Sequence, residues 1–536
     1  MEIFEKYRPS FLSVLSGILL TLTFPRFDLE LLAWIALIPM FFAINEASLQ
    51  KTAFYGFVTG ATFYFLSLSW VINTIVNYGN VPVLLGYLIL ALLVAYLSFY
   101  VCVFCVLCQK LSGGSPLYFS LVAPFVWTAL EFIRSTHLEY GFSWLGLGYS
   151  QYKNLIVIQI AEFTGVYGVS TLIVWINASL FFIIHDRLIA YNSLTFGISG
   201  SHPEFMISKL TSNSRSQNMS LRMVFVTILL MAMCLGFGYS SLNQYPVLKG
   251  NPIKVSLIQG NIAQDVKWNS LVRDKIIRTY ERLTLEGAKS NPDLIIWPEA
   301  ATPYYLGNNR DQTKALKQLV ARAKSPLLFG SPYVEMSGSD VKMFNSAWLL
   351  NPNGETSERY DKIHLVPFGE FVPMQSVLFF VEKMVQGIGN FGRGNHEKLF
   401  HLGEIPFGTS ICYEITFPAL VRKPVNSGAR FLINITNDAW FGNSAASYQH
   451  FSMAALRAVE NRVPIIRSAN TGISGTIDPL GRISNQTPLF QEAIVNTTIL
   501  PGSGEMTIYA RYGDWFCWFC LGICILVGIL IKPIRV

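Results

Sequence analysis

Charge is scarce in this 536-residue sequence: Asp, Glu, Lys and Arg make up only 14% of it, against 51% hydrophobic residues and a mean hydropathy of +0.39. So little charge excludes an ordinary soluble enzyme and indicates an integral membrane protein. The formal net charge of +7 could suggest an acidic partner, but the basic residues sit largely at the ends of apolar runs, where topology accounts for them. No tract interleaves basic and aromatic residues, so no nucleic-acid partner is expected. A small-x-small cleavage site is also missing after the first apolar run, which therefore reads as a retained helix rather than a secretory leader.

Cysteine is equally sparse where chemistry could use it. Cys102, Cys105, Cys108, Cys234, Cys517, Cys520 and Cys524 all lie inside apolar runs. Cys102-x-x-Cys105-x-x-Cys108 and Cys517-x-x-Cys520 have metal-like spacing, yet no His or acid lies close in sequence to complete a tetrahedral set. They read as small packing residues of lipid-embedded helices. His364 and His450 are too isolated to suggest a metal site, so neither a metal nor another cofactor is expected. Only Cys412 sits in polar surroundings, with no second cysteine in its segment to trap it as a disulfide.

Eight apolar runs are present, at roughly 11–24, 29–44, 53–76, 81–108, 116–133, 155–185, 221–241 and 514–531. With a cytoplasmic N-terminus, Lys6, Arg8, Lys51, Lys110, Arg187, Lys209, Arg215, Arg222, Lys532 and Arg535 all fall on the cytoplasmic side, and the opposite orientation collects far fewer. The expected organisation is a membrane domain over 1–244 with seven spans, an extracytoplasmic domain over 245–510, and an eighth span with a short tail over 511–536. The polar stretch 186–220 reads as a mobile cytoplasmic connection.

The long extracytoplasmic segment alternates strand and helix. Strands are expected at 253–259, 294–297, 326–333, 346–350, 406–412, 431–435 and 463–467, and helices at 273–289, 312–324, 418–428 and 446–461. That rhythm predicts an α/β layered domain. Glu299, Lys362 and Cys412 each fall at or just past a strand end, where one rim of a layered sheet can gather them. Together a carboxylate base, an ammonium for an oxyanion and a thiol nucleophile can attack a carbonyl. Taken singly, Glu299 and Lys362 read equally well as surface charges and Cys412 as an inert buried thiol; the combination favours chemistry.

These residues lie in Leu294-Ile295-Ile296-Trp297-Pro298-Glu299, in Asp361-Lys362-Ile363-His364-Leu365-Val366-Pro367-Phe368-Gly369-Glu370 and in Ile411-Cys412-Tyr413-Glu414, which resemble the Glu-Lys-Cys motifs of the nitrilase (carbon-nitrogen hydrolase) superfamily. With the flanking apolar runs, Gln259-Gly260-Asn261-Ile262, Lys267-Trp268, the stretch from Asn437 to Gly442 and the stretch from Trp144 to Gln151, the whole chain resembles a membrane-bound branch, the bacterial apolipoprotein N-acyltransferases. The resemblance implies an αββα sandwich and transfer of a fatty acyl chain through a cysteine thioester. The donor would be a phospholipid, phosphatidylethanolamine, and the acceptor the N-terminal amino group of diacylglyceryl-cysteine in an apolipoprotein. It further implies a monomer in the bacterial inner membrane with its catalytic domain on the periplasmic side. Glu299 would be the base, Lys362 the oxyanion stabiliser and Cys412 the acyl carrier, with Glu370, Tyr413 and Glu414 supporting and Trp268, Trp440 and Trp144 meeting substrate.

Other readings stay open. A membrane-tethered amidase or nitrilase would give its thioester to water. A transporter or receptor carrying an inactive domain is disfavoured, because charges within the spans are sparse and no pair of interrupted helices suggests an ion path. Gly387 to Gly394 reads either as a mobile loop over the site or as a plain connector. Arg457, Glu460 and Arg462 read as structural ion pairing, and Trp144 and Tyr149 as aromatic-belt residues by default.

Overall fold

The computed structural model describes residues 2–79, 81–136, 141–196, 203–244, 251–269, 271–306, 310–337, 340–371 and 391–530. The first half of the glycine-rich segment 387–394, residues 387–390, thus lies outside the described residues. The chain divides into two compact units, one of Met1–Leu68, Ala91–Asn243 and Asp514–Val536, the other of Ser69–Leu90 and Gln244–Gly513.

The first unit is helical, since an apolar segment in lipid can satisfy its backbone N–H and C=O groups only within itself. Among the described residues Val83–Ser112, Pro116–Thr136, Val166–Ile189 and Asn218–Asn243 are long and apolar enough to cross a membrane; Leu49–Leu68 counted with Val71–Tyr78 makes a fifth. The eight runs therefore do not translate into eight full-length helices. The run at 29–44 splits into a 3-10 turn, Glu30–Trp34, and the short helix Ile38–Ile44, which has a proline in its first turn. The run at 155–185 breaks into Leu155–Ile158, Ala161–Thr164 and Val166–Phe196, with Gly165 left-handed between the last two.

The stretch 186–220 is mostly helix rather than a loop, covered by Val166–Phe196 and Pro203–Gln244. Its Ser and Asn residues disfavour helix by only about half a kcal/mol each, so a helix already nucleated in an apolar stretch can extend through them. Cys105 is closely packed: a Cβ on Gly56 would lie 2.8 Å from its Sγ, and one on Gly60 would lie 2.8 Å from Ser98 of the same helix.

The second unit is an αββα sandwich. One six-stranded sheet contains β1 (Ile253–Gln259), β2 (Leu294–Ile296), β3 (Leu327–Ser337), β4 (Asp340–Leu350) and β5 (Thr356–Asp361). The other contains β6 (Leu399–Leu402), β7 (Ile405–Ile411), β8 (Leu432–Thr436), β9 (Ile465–Ala469), β10 (Gly475–Ile477) and β11 (Ile483–Ser484). The last strand, β12 (Ala493–Ile499), returns to the first sheet and pairs antiparallel with β1, giving the orders β12-β1-β2-β3-β4-β5 and β11-β10-β9-β8-β7-β6. In each sheet three adjacent strands run parallel, β1-β2-β3 and β7-β8-β9.

Alternation sends one set of side chains from each sheet into a shared core. Val255, Leu257, Ile296, Leu328 and Leu349 of the first sheet meet Phe407, Ile411, Ile433 and Ile466 of the second. The opposite face of the first sheet packs Ile295, Trp297, Phe329 and Trp348 on the helices Arg273–Ala288 and Arg310–Ala323. Each such side chain contributes roughly 1.5–3 kcal/mol on burial. With the sheets registered in this way, the ends of β2, β5, β7 and β8 release their next residues into one polar neighbourhood, described below.

Candidate active site

Cys412 is the residue after β7 and opens the 3-10 turn Cys412–Thr416, instead of closing the strand as expected. Its backbone is left-handed, φ 53°, a conformation that costs a residue with a Cβ roughly 1–2 kcal/mol and persists only where neighbours hold it. Glu299 follows β2, with Ala300 after it also left-handed, and Lys362 follows β5. All three side chains are buried.

The three form one electrostatic group. Lys362 Nζ lies 3.4 Å from Glu299 Oε1 and 3.0 Å from Glu370 Oε1. Asn345 of β4 spends both amide hydrogens there, donating to Glu299 Oε1 and to Glu370 Oε1 at 2.8 Å each. The backbone N–H of Asn437 donates to Glu299 Oε2 and that of Val366 to Glu370 Oε2, both at 2.8 Å. Lys267 Nζ reaches the Glu299 carbonyl at 3.4 Å.

Charge follows from this geometry. Burial alone would lower the Lys362 ammonium's pKa, but Glu370 and Glu299 outweigh it and hold the group protonated. Burial, and then the charge of Glu299, push the Cys412 thiol up, while Lys362 pulls it back only in part. Cys412 therefore rests as a neutral thiol and must hand its proton to a base as it attacks. Lys267 is pushed down to about 8 by burial, partly opposed by Glu299.

Glu414 has a different place. It is fully buried, and its Oε1 accepts from Tyr360 Oη at 2.9 Å, Ile363 N at 2.7 Å and His364 N at 3.0 Å, while Oε2 accepts from Ile411 N at 2.7 Å. Burial pushes this carboxyl up to about 7 against the donors that pull it back. One side chain thus ties the backbone after Lys362 to the backbone before Cys412. A Glu414→Gln substitution turns an NH2 toward those donors and orphans at least one, at about 1–3 kcal/mol each. Its thermal midpoint is expected to fall together with its catalytic turnover.

Residues 16–179 match the apolipoprotein N-acyltransferase N-terminal domain and residues 254–508 the carbon-nitrogen hydrolase domain. A Geobacter metallireducens protein named apolipoprotein N-acyltransferase is 40% identical, covering 96% of this chain and 93% of its own. The chain belongs to the apolipoprotein N-acyltransferase family. The Methylococcus capsulatus protein of the same name is 33% identical over 96% of this chain and 95% of its own. Among solved structures, a mutant amidase of the nitrilase superfamily from Nesterenkonia AN1 matches at 16% identity, covering 48% of this chain and 93% of that one, with a TM-score of 0.37.

Within this apolipoprotein N-acyltransferase family member, the remaining expected site residues divide. Tyr413 is partly buried, its ring 4.9 Å from Phe417 and 5.8 Å from His364. Trp268 is 46% exposed and stacks on Tyr305 at 6.1 Å. Trp440 is 36% exposed; its ring meets Tyr78 at 5.3 Å, and its carbonyl accepts from Thr74 Oγ1 at 3.0 Å. Trp144 and Tyr149 lie buried in the helical unit, and the Trp144 carbonyl accepts from Arg134 Nη1 at 2.7 Å. Neither stands on the surface as a belt residue would. Arg457 and Glu460 form a fully buried pair at 2.9 Å.

Asn345, the Asn437 backbone and Lys267 were not anticipated as parts of the site. The only sequence signal for Asn345 is a polar residue at the head of an apolar strand.

Proposed function

We propose that this chain transfers a fatty acyl group from a phospholipid, through a Cys412 thioester, to the N-terminal amino group of diacylglyceryl-cysteine in apolipoproteins. One observation carries the reading: a buried thiol shares a site with a carboxylate and an ammonium, in a chain whose full-length relatives bear the name apolipoprotein N-acyltransferase.

As Cys412 Sγ attacks the ester carbonyl, its proton passes to Glu299, and Lys362 balances the oxyanion. The S–C bond forms, the bond from the acyl carbonyl carbon to the glycerol oxygen breaks, and Glu299 returns the proton to that departing oxygen, releasing lysophospholipid. The neutral amine then attacks the thioester; its N–C bond replaces S–C, and the amine proton ends on the thiol by way of Glu299. Ester plus amine becomes amide plus alcohol, with no cofactor in the balance. One acyl pocket serves both substrates in turn, so ping-pong kinetics follow. Glu370 keeps Lys362 charged and placed. Exposed Trp268 and Trp440 offer apolar surface to lipid, and the buried Trp144 is given no substrate contact.

We assign phosphatidylethanolamine as donor, a monomeric state, and the bacterial inner membrane with residues 245–510 on the periplasmic side, between a membrane domain over 1–244 and a final span over 511–536. The basic residues flanking the apolar runs support the orientation. Protease added to spheroplasts is expected to cut within 245–510, and protection there would reverse the topology.

The deciding assay incubates the purified full chain with acyl-labelled phosphatidylethanolamine and a diacylated lipopeptide. Triacylated peptide is expected. Label found only in free fatty acid would favour the membrane-tethered hydrolase instead.

A further inference from the structure

The left-handed turn at Cys412 is held from behind by a buried charged network with no part in the proposed proton transfers. The Cys412 carbonyl accepts from His450 Nε2 at 3.1 Å and from Asn434 Nδ2 at 3.3 Å; the same Asn434 amide lies 3.2 Å from the Ser410 carbonyl. A carbonyl can only accept, so Nε2 carries the imidazole proton. The other ring nitrogen, Nδ1, stands 2.9 Å from Arg467 Nη2 and 3.1 Å from Asp438 Oδ1. Burial, followed by the Arg467 charge, lowers the His450 pKa, while Asp438 and the Cys412 carbonyl pull it back in part.

The other end of Arg467 fixes the second donor, because Nη1 donates to Asn434 Oδ1. Arg467 Nη2 also lies 3.0 and 3.2 Å from the two oxygens of Asp438, whose Oδ1 accepts from Thr436 Oγ1 at 2.9 Å. Asp438, His450 and Arg467 are wholly buried. One guanidinium on β9 thus orients both side chains that grip the Cys412 carbonyl, Asn434 from β8 and His450 from the helix Ala445–Asn461. In a trans peptide the N–H points opposite the carbonyl. Gripping the carbonyl of Cys412 therefore aims the Tyr413 N–H away from the network and sets the direction of the Cys412 side chain.

We propose that His450, together with Arg467 and Asn434, is a positioning residue for the acylation step, fixing the peptide plane on which the nucleophile stands. This rests on Cys412 being the acyl carrier. The test compares wild type, His450→Gln, which keeps an N–H donor at similar reach, and His450→Leu, which fills the space without one. For each full-length chain in detergent, the rate of acyl-adduct formation on Cys412 from labelled phosphatidylethanolamine is followed by mass spectrometry, beside the donor KM and the thermal midpoint.

His450→Leu is expected to slow acylation on the order of 10²-fold with the donor KM little changed, and His450→Gln to recover most of the rate. Equal acylation rates in wild type and His450→Leu would overturn the proposal. So would equal impairment of both variants in step with their thermal midpoints, which would mark a purely structural histidine. If wild type itself forms no adduct, the acyl-carrier reading fails and this inference falls with it.

Discussion

A Cys412→Ser chain is expected to release lysophospholipid about 10³-fold more slowly than wild type, or worse, while inserting and folding normally. The side chains differ by one atom, and the site needs that atom twice. In the first half-reaction Glu299 must remove the proton at the moment of attack. Although burial and Glu299 push the thiol's pKa up, it remains easier to ionise than a serine hydroxyl in the same place. In the second, the acyl group must stay activated: a thioester can acylate an amine without further energy input, whereas a serine ester is little more reactive than the phospholipid it came from. The same experiment reads both halves, because the peptide containing residue 412 should gain the mass of a fatty acyl group in wild type and in neither Cys412→Ser nor Cys412→Ala. Near-normal triacylation by either variant would rule out the covalent mechanism.

The elements visible from the sequence are those whose own residues decide them. Leu294–Ile296 and Leu432–Thr436 are short apolar runs buried on both faces, and Ala445–Asn461 carries helical periodicity, so each lies within a residue or two of its expected bounds. Ala493–Ile499 is half-exposed and rich in Asn and Thr, and only its pairing with β1, more than 200 residues earlier, makes it a strand. The segment Ser69–Leu90 lies among apolar runs, yet its contacts group it with the sandwich, where Trp70 Nε1 donates to Gln449 at 3.3 Å. The site was legible to the same degree. Glu299 and Cys412 follow strand ends that periodicity locates, whereas β5, which leads into Lys362, is not among the expected strands. Asn345, and the Asp438, His450 and Arg467 network, come together only through sheet register and a helix docked behind it, and no local spacing encodes that meeting.

Removing the cation between the two carboxylates gives the second large effect. In a Lys362→Met chain, Glu299 and Glu370 would still face the one Asn345 amide at 2.8 Å each, but nothing would compensate their charges. Breaking such a buried pair from one side costs about 3–5 kcal/mol. Two carboxylates so placed relieve that cost by taking up a proton, which removes the base that Cys412 needs. Losing the oxyanion partner adds about 10²–10³-fold to the loss in turnover. Stability and catalysis therefore fall together, and the single variant cannot separate them. The double variant Lys362→Met with Glu370→Gln can, because it deletes one negative charge along with the positive one and leaves Glu299 its hydrogen bonds from Asn345 and Asn437. The thermal midpoint is expected to return most of the way to wild type, while acylation of Cys412 stays depressed. If acylation returned with stability, Lys362 would be only a counter-charge, and the oxyanion would have to be held by other groups.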